Sequence, residues 1–142
     1  MDPIRTLVHR YADAVCRFDP DQWAATWAPD GVWDMGKTQV QGRDEIGATW
    51  KSIMATFPAV FHVCFNGTAD LDDGAGTGTG RWYIGEFLRM PDESTIAMYG
   101  YYDDAYALHD GEWLFKSRTL TPLYRGAADM TGDFMRAMTA NE

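Results

Sequence analysis

Three residues, far apart in the chain, have side chains that could carry chemistry: Asp19 and His62 for proton transfer and Arg118 for binding an oxyanion. His62 stands in "FPAVFHVCFNG", between two phenylalanines, in a run that otherwise reads as a buried strand. Burying an imidazole without a partner is costly, so His62 needs either a structural partner or a chemical role. Alternation along a strand puts His62, Cys64 and Asn66 on one face and Phe61, Val63 and Phe65 on the other. Alternation alone leaves open whether the more polar face lines a pocket or meets solvent. Asp19 precedes Pro20 at a helix start, where an ordinary N-cap is worth about 1 kcal/mol. One carboxylate oxygen can cap while the other takes a partner. Arg118, in "LFKSRTLTP", shares an alternating face with Leu114 and Lys116. It is an edge charge if solvated, and a carboxylate or oxyanion partner if it lies inside a cavity. Tyr83, Tyr99, Tyr101, Tyr102 and Tyr106 could donate hydrogen bonds to a carbonyl, or simply build the sheet core. Tyr99 and Tyr101 alternate in phase with Asp103.

The elements that must position these groups follow from periodicity. "MDPIRTLVHRYADAVCRF" starts a helix at Asp2-Pro3, with Ile4, Leu7, Val8, Tyr11 and Val15 on one face. "DPDQWAATWAPDG" predicts a second helix that carries Trp23 and Trp27 on one side and ends at Pro29-Asp30-Gly31. "GVWDMG" and "KTQVQG" predict a short hairpin. "GRDEIGATWKSIMATF" predicts a third helix stopped by Pro58. The period then changes to two. "AVFHVCFNGTADL", "TGTGRWYIGEFLRM", "TIAMYGYYDDAYAL" and "EWLFKSRTLTPLY" predict an antiparallel meander of four long strands. A short helix is expected near Phe134, Met135 and Met138. Helices followed by a long antiparallel sheet make an α+β class, with helices on one face of a curved sheet.

Bulk properties bound the function. The 142 residues fit one domain, 1–142, able to bury a core. Six Trp, seven Tyr and seven Phe are many for this length and suit a pocket for a bulky apolar small molecule. The net charge of −9 argues against nucleic acid or an anionic membrane as partner. Cys16 and Cys64 form neither a zinc pattern nor a disulfide framework, and the three histidines lack ligand spacing, so no metal or other cofactor is expected. His9 is placed at a helix edge and His109 in an exposed turn. With no signal-peptide core and no spanning segment, a cytoplasmic location is expected. There is no nucleophile elbow, phosphate loop or zinc-protease motif, and "GAGTGTG" precedes a strand rather than a helix.

The stretches "YADAVCRFDPDQWAATWAPDGVWD", "GRDEI", "FHVCFNG", "GTGRWY" and "YYDDAYALHDGEWLFKSR" together resemble the SnoaL-like branch of the nuclear-transport-factor-two-like superfamily. The resemblance implies a cone-shaped α+β barrel, N-terminal helices on a curved antiparallel sheet around an apolar pocket. Family members include bile-acid 7α-dehydratase, scytalone dehydratase and hexachlorocyclohexane dehydrochlorinase. It implies that Asp19 and His62 match an aspartate–histidine dyad and that Arg118 matches an arginine late in the last strand. The helix-1 tyrosine of the bile-acid dehydratase falls at Ala14, and a second sheet histidine falls near Tyr99. The function expected is a cofactor-independent lyase, of dehydratase type. His62 is the general base, Asp19 orients it and stabilises the imidazolium, and Tyr99, Tyr101 and Arg118 stabilise the oxyanion. Isomerisation or cyclisation by the same dyad, and ligand binding without catalysis, are the alternatives. Tyr11, Trp23, Trp33, Trp50, Cys64, Asn66 and Tyr83 are expected around the substrate. A homo-oligomer, dimer or trimer, is expected from the aromatic sheet face.

Overall fold

Asp2 accepts a hydrogen bond from the Ile4 amide at 2.8 Å and Pro3 occupies the first helical position, so α1 runs Pro3–Arg17. It buries the Ile4, Leu7, Val8, Tyr11 and Val15 stripe. The computed structural model describes residues 2–129 and 133–134. Phe18 takes the left-handed conformation that closes the helix. Asp19 then caps α2, Pro20–Ala25, by accepting from the Gln22 amide at 3.0 Å.

The second helix is shorter than its tryptophan spacing predicts. Trp27 begins β1, Trp27–Asp34, because the Thr26 carbonyl is taken by the Phe115 amide of another strand. The hairpin partner shrinks to β2, Gln39–Gln41. Gly42 enters α3, Arg43–Met54, at a φ of +89°, which suits glycine. The meander follows as expected: β3 (Ala59–Asp72), β4 (Thr77–Arg89), β5 (Thr95–His109) and β6 (Glu112–Gly126). Asp133–Phe134, at the start of the expected C-terminal helix, form β7 against β6. Met135 and Met138 lie outside the described residues.

The sheet order is β2-β1-β6-β5-β4-β3, with β7 beside β6. The meander is antiparallel, but β1 runs parallel to β6, so the sheet is mixed and unclosed. The helices cover its inner face, and most of the core lies between them. Its outer face leaves Phe61 and Phe65 exposed, at 59% and 53%.

Three β-bulges in the meander set which side chains reach the core, one of them at Leu123, between Gly100↔Pro122 and Tyr99↔Tyr124, ahead of Arg125. Phe65 is an extra residue between the Cys64↔Ile84 and Asn66↔Tyr83 pairs. Lys116 is an extra residue between Ser117↔Ala105 and Phe115↔Tyr106. Each shifts the alternation by one residue. Asn66 therefore pairs with Tyr83 on the outer face, away from His62. Phe115 and Arg118 both point inward, and Lys116 turns out to meet Asp30. Straight alternation predicts the opposite for Asn66 and Phe115.

Candidate functional site

The curved sheet and the helices enclose a cavity of about 680 Å³. That is the size of a small-molecule site. Its walls are largely apolar, from Val15, Trp33, Trp50, Met54, Leu88 and Leu120. Polar side chains reach its interior from four elements, among them Tyr11 from α1, His62 from β3, Glu86 from β4 and Tyr102 from β5.

His62 sits on the edge strand, where its backbone has no strand neighbour on one side. Cys16 of α1 fills that role. Its sulfur accepts from the His62 amide and its thiol donates to the His62 carbonyl, each at 3.3 Å. The imidazole is buried and packs edge-on against Tyr11, with ring centroids 5.6 Å apart. Its Nδ1 is buried and makes no hydrogen bond. The carboxylate beside it is Glu86, with Oε2 3.7 Å from Nδ1. That separation is too long for a hydrogen bond. Register explains the pairing: His62 lies directly opposite Glu86 across β3 and β4.

The hydroxyls of Tyr11 and Tyr102 stand 3.4 Å apart, and the Trp33 indole N–H donates to Tyr102 at 3.3 Å. Donors can be counted here. The two hydroxyls and the indole bring three protons, and two are used within the group. One O–H is left without an acceptor among the described residues, ready for a ligand. Burial, then the neighbouring Tyr102, pushes Tyr11 well above the usual tyrosine range, against the pull of Arg118. Burial also raises Tyr102, again opposed by Arg118. Both stay protonated at neutral pH and act as donors.

Arg118 lies behind these rings, fully buried, and does not reach the cavity wall. Its guanidinium sits 4.0 Å from the Tyr102 ring centre, 4.2 Å from Phe115 and 4.5 Å from Tyr11. It donates two hydrogen bonds to Asp104, at 2.7 and 3.3 Å. Tyr106 donates to the same carboxylate at 2.9 Å, and Trp82 donates to Tyr106 at 3.0 Å. Burial pushes the Asp104 carboxyl upward, and the Arg118 charge pulls it back.

The expected dyad is not assembled. Asp19 has one oxygen on the Gln22 amide and the other 3.3 Å from Arg17, with its side chain 32% exposed. It makes no ion pair with His62, because the cap fixes its rotamer and Arg17 draws it to the surface. Tyr99 and Tyr101 face outward: Tyr99 packs on Phe65 and Phe87, and Tyr101 lies under exposed Arg81. Asp103, in phase with them, pairs with that same Arg81. The inward tyrosine is their neighbour, Tyr102.

Of the residues expected around a substrate, Tyr11, Trp33 and Trp50 line the cavity. Trp23 lies beneath Trp50, stacked at 4.7 Å, and does not reach it. Cys64 is part-buried beside the core, and burial pushes its thiol up to about 11. Asn66 and Tyr83 belong to the outer face. His9 and His109 are exposed, as expected. Among the described residues no cluster of His, Cys, Asp or Glu is arranged to hold a metal, and no helix is long and apolar enough to cross a membrane.

Sequence reasoning missed Glu86 and, having placed Tyr102 among five candidate tyrosines, preferred its neighbours Tyr99 and Tyr101. Glu86 carried a signal: it is a lone charge in phase with Ile84 and Leu88 on an otherwise apolar strand face. Tyr102 carried little, since the neighbouring residues Tyr101 and Tyr102 occupy opposite phases and only tertiary packing tells them apart.

Comparison with known proteins agrees with this architecture. The SnoaL-like domain matches residues 1–119. No curated protein matches the sequence. Among solved structures, a candidate scytalone dehydratase from Novosphingobium aromaticivorans is 22% identical with a TM-score of 0.81, over 96% of this chain and 93% of that one. A candidate aromatic ring hydroxylase from the same species is 22% identical with a TM-score of 0.80, over 89% and 92%. Hexachlorocyclohexane dehydrochlorinase LinA-type3 from Novosphingobium barchaimii is 16% identical with a TM-score of 0.77, over 89% and 88%. At these identities the likeness is one of fold.

Proposed function

The chain belongs to the SnoaL-like domain family, and we propose that within it this protein is a cofactor-independent lyase that eliminates water from a bulky apolar carbonyl compound. One observation carries the reading. A buried imidazole nitrogen with no hydrogen bond stands beside a carboxylate, in the same apolar cavity as an unused tyrosine O–H.

His62 takes the proton from the carbon next to the substrate carbonyl. Glu86 stabilises the imidazolium that forms, in the role the sequence assigned to Asp19. The electron pair moves onto the carbonyl oxygen, which accepts the free O–H of the Tyr11–Tyr102 pair. His62 then returns its proton to the β-hydroxyl. The carbon–oxygen bond breaks, water leaves and the carbon–carbon double bond forms. The neighbours named as a dehydratase and a dehydrochlorinase support elimination as the reaction class. The tyrosine pair also favours a second outcome: the same enolate, reprotonated at another carbon, gives isomerisation.

The test is turnover of a panel of bulky β-hydroxy ketones, followed by the ultraviolet absorbance of the enone. His62→Ala should lose about 10²–10⁴-fold in kcat/KM, and Glu86→Gln should fall in the same direction. A His62→Ala enzyme within threefold of wild type would defeat the assignment.

A further inference from the structure

Lys37 and Arg125 also line the cavity, and neither has an ion-pair or hydrogen-bond partner among the described residues. In a chain of net charge −9, two cations on the wall of an apolar cavity with no partner among the described residues call for a cause. Lys37 sits in the turn between β1 and β2. The carboxylate flanking that turn, Asp34 at the end of β1, is already engaged: it accepts from the Gly36 amide and from the Gln39 side chain. Arg125 lies near the end of β6. Both side chains are exposed, so they belong to the cavity mouth, whereas His62 is buried.

Strand register fixes the layout. His62 is opposite Glu86, Glu86 is opposite Met98, and Met98 is opposite Arg125. The four residues form one row across four strands, and all four line the cavity. Three strand spacings separate the ends of the row, at most about 14 Å along the sheet.

From this row we infer that the cavity takes an amphiphile: an apolar body ending in a singly charged oxyanion, a carboxylate or a sulfonate. Lys37 and Arg125 hold the anion at the mouth, and the apolar body extends toward His62. This deepens the substrate class of the reading above and rests on the same cavity being the substrate site. The grip is a specificity device. An apolar cavity alone accepts any oily molecule of the right size, while a charged mouth fixes which end enters first.

Two fluorescent probes of nearly the same shape test the inference: anionic 1-anilinonaphthalene-8-sulfonate and uncharged N-phenyl-1-naphthylamine. Dissociation constants are measured for the intact chain and for Lys37→Gln, Arg125→Gln and the double variant. The double variant should weaken the anionic probe by about fivefold or more and leave the neutral probe within twofold. Raising the salt concentration should mimic the substitutions for the anionic probe alone. Register also sets Asp133 beside Arg125, so Asp133→Asn is included and should not weaken the anionic probe. Equal loss for both probes, an anionic-probe affinity that ignores both cations, or a wild type that binds neither probe overturns the inference. None of these measurements depends on turnover. Loss of the lyase reading through His62→Ala leaves the anion grip to be judged on its own.

Discussion

The Arg118–Asp104 pair offers a quantitative test of how the site is braced. Both side chains are essentially removed from solvent, at 1% and 0% exposure, and two hydrogen bonds join them. Asp104→Asn keeps the shape and removes the charge. The guanidinium is then buried with no counter-charge, and one amide N–H faces its donors. Breaking a buried pair in this way costs about 3–5 kcal/mol. For a chain of this length the unfolding entropy converts that to a fall in Tm of roughly 10–17 °C. Replacing both partners, Asp104→Leu with Arg118→Met, should behave differently. Burial already pushes the Asp104 carboxyl upward despite the adjacent Arg118, so desolvation outweighs attraction at that group. The double variant should therefore regain most of the loss and fall within about 1–2 kcal/mol of wild type. Denaturant unfolding of wild type, Asp104→Leu, Arg118→Met and the double variant gives the cycle directly, with Asp104→Asn measured beside them. If Asp104→Asn costs under 1 kcal/mol, or if the double variant is as unstable as the two single losses combined, the brace has been misjudged. Ligand binding adds a second readout. The guanidinium holds the Tyr102 and Tyr11 rings, so the double variant should lose affinity for carbonyl ligands even where stability returns.

Two further outcomes separate roles that the sequence merges. Asp19→Ala removes a helix cap and should cost about 1 kcal/mol in urea unfolding, while kcat/KM stays within threefold. A loss above a hundredfold would return Asp19 to the catalytic machinery. Cys64, with its thiol pushed up to about 11 by burial, should alkylate with iodoacetamide at a rate that climbs about tenfold per pH unit from 8 to 10. Peptide mass spectrometry reads that rate, and a plateau below pH 9.5 contradicts the burial account.

What the sequence made legible was what neighbouring residues decide. Asp2-Pro3 and Asp19-Pro20 start helices because the cap and the proline act within one turn. The four long strands were legible because turn residues separate them. Trp27 was misplaced because its spacing from Trp23 suits a helix. The interaction that makes it a strand, the Phe115 amide on the Thr26 carbonyl, comes from about ninety residues away. His62 was found because a charge-bearing ring between phenylalanines is locally anomalous. Its partner was not, because Asp19 satisfies a local rule that competes with the pairing, and only register brings Glu86 opposite His62.

The bulges explain why a correct list of strands still gave an incomplete site. A strand displays one of two faces, and an extra residue exchanges them from that point on. At Lys116 the exchange lets Phe115 and Arg118 face inward together. Arg118 then lies opposite Asp104 in register, with Phe115 beneath its guanidinium. Without the extra residue, a β6 that kept Phe115 in the core would send Arg118 to the outer face, leaving Asp104 buried and unpaired. At Phe65 the exchange removes Asn66 from the cavity side and seats Gly67 against Trp82. A Cβ at Gly67 would fall 2.2 Å from the Arg81 carbonyl oxygen and 2.5 Å from the Trp82 ring. Trp82 donates to Tyr106, whose hydroxyl passes over Gly80, where a Cβ would fall 2.7 Å from it, and Tyr106 donates to Asp104 on its own strand. The Lys116 bulge thus delivers Arg118 to Asp104, the carboxylate that Tyr106 also reaches. The tyrosines that present a proton to the cavity are held by the arginine paired with it.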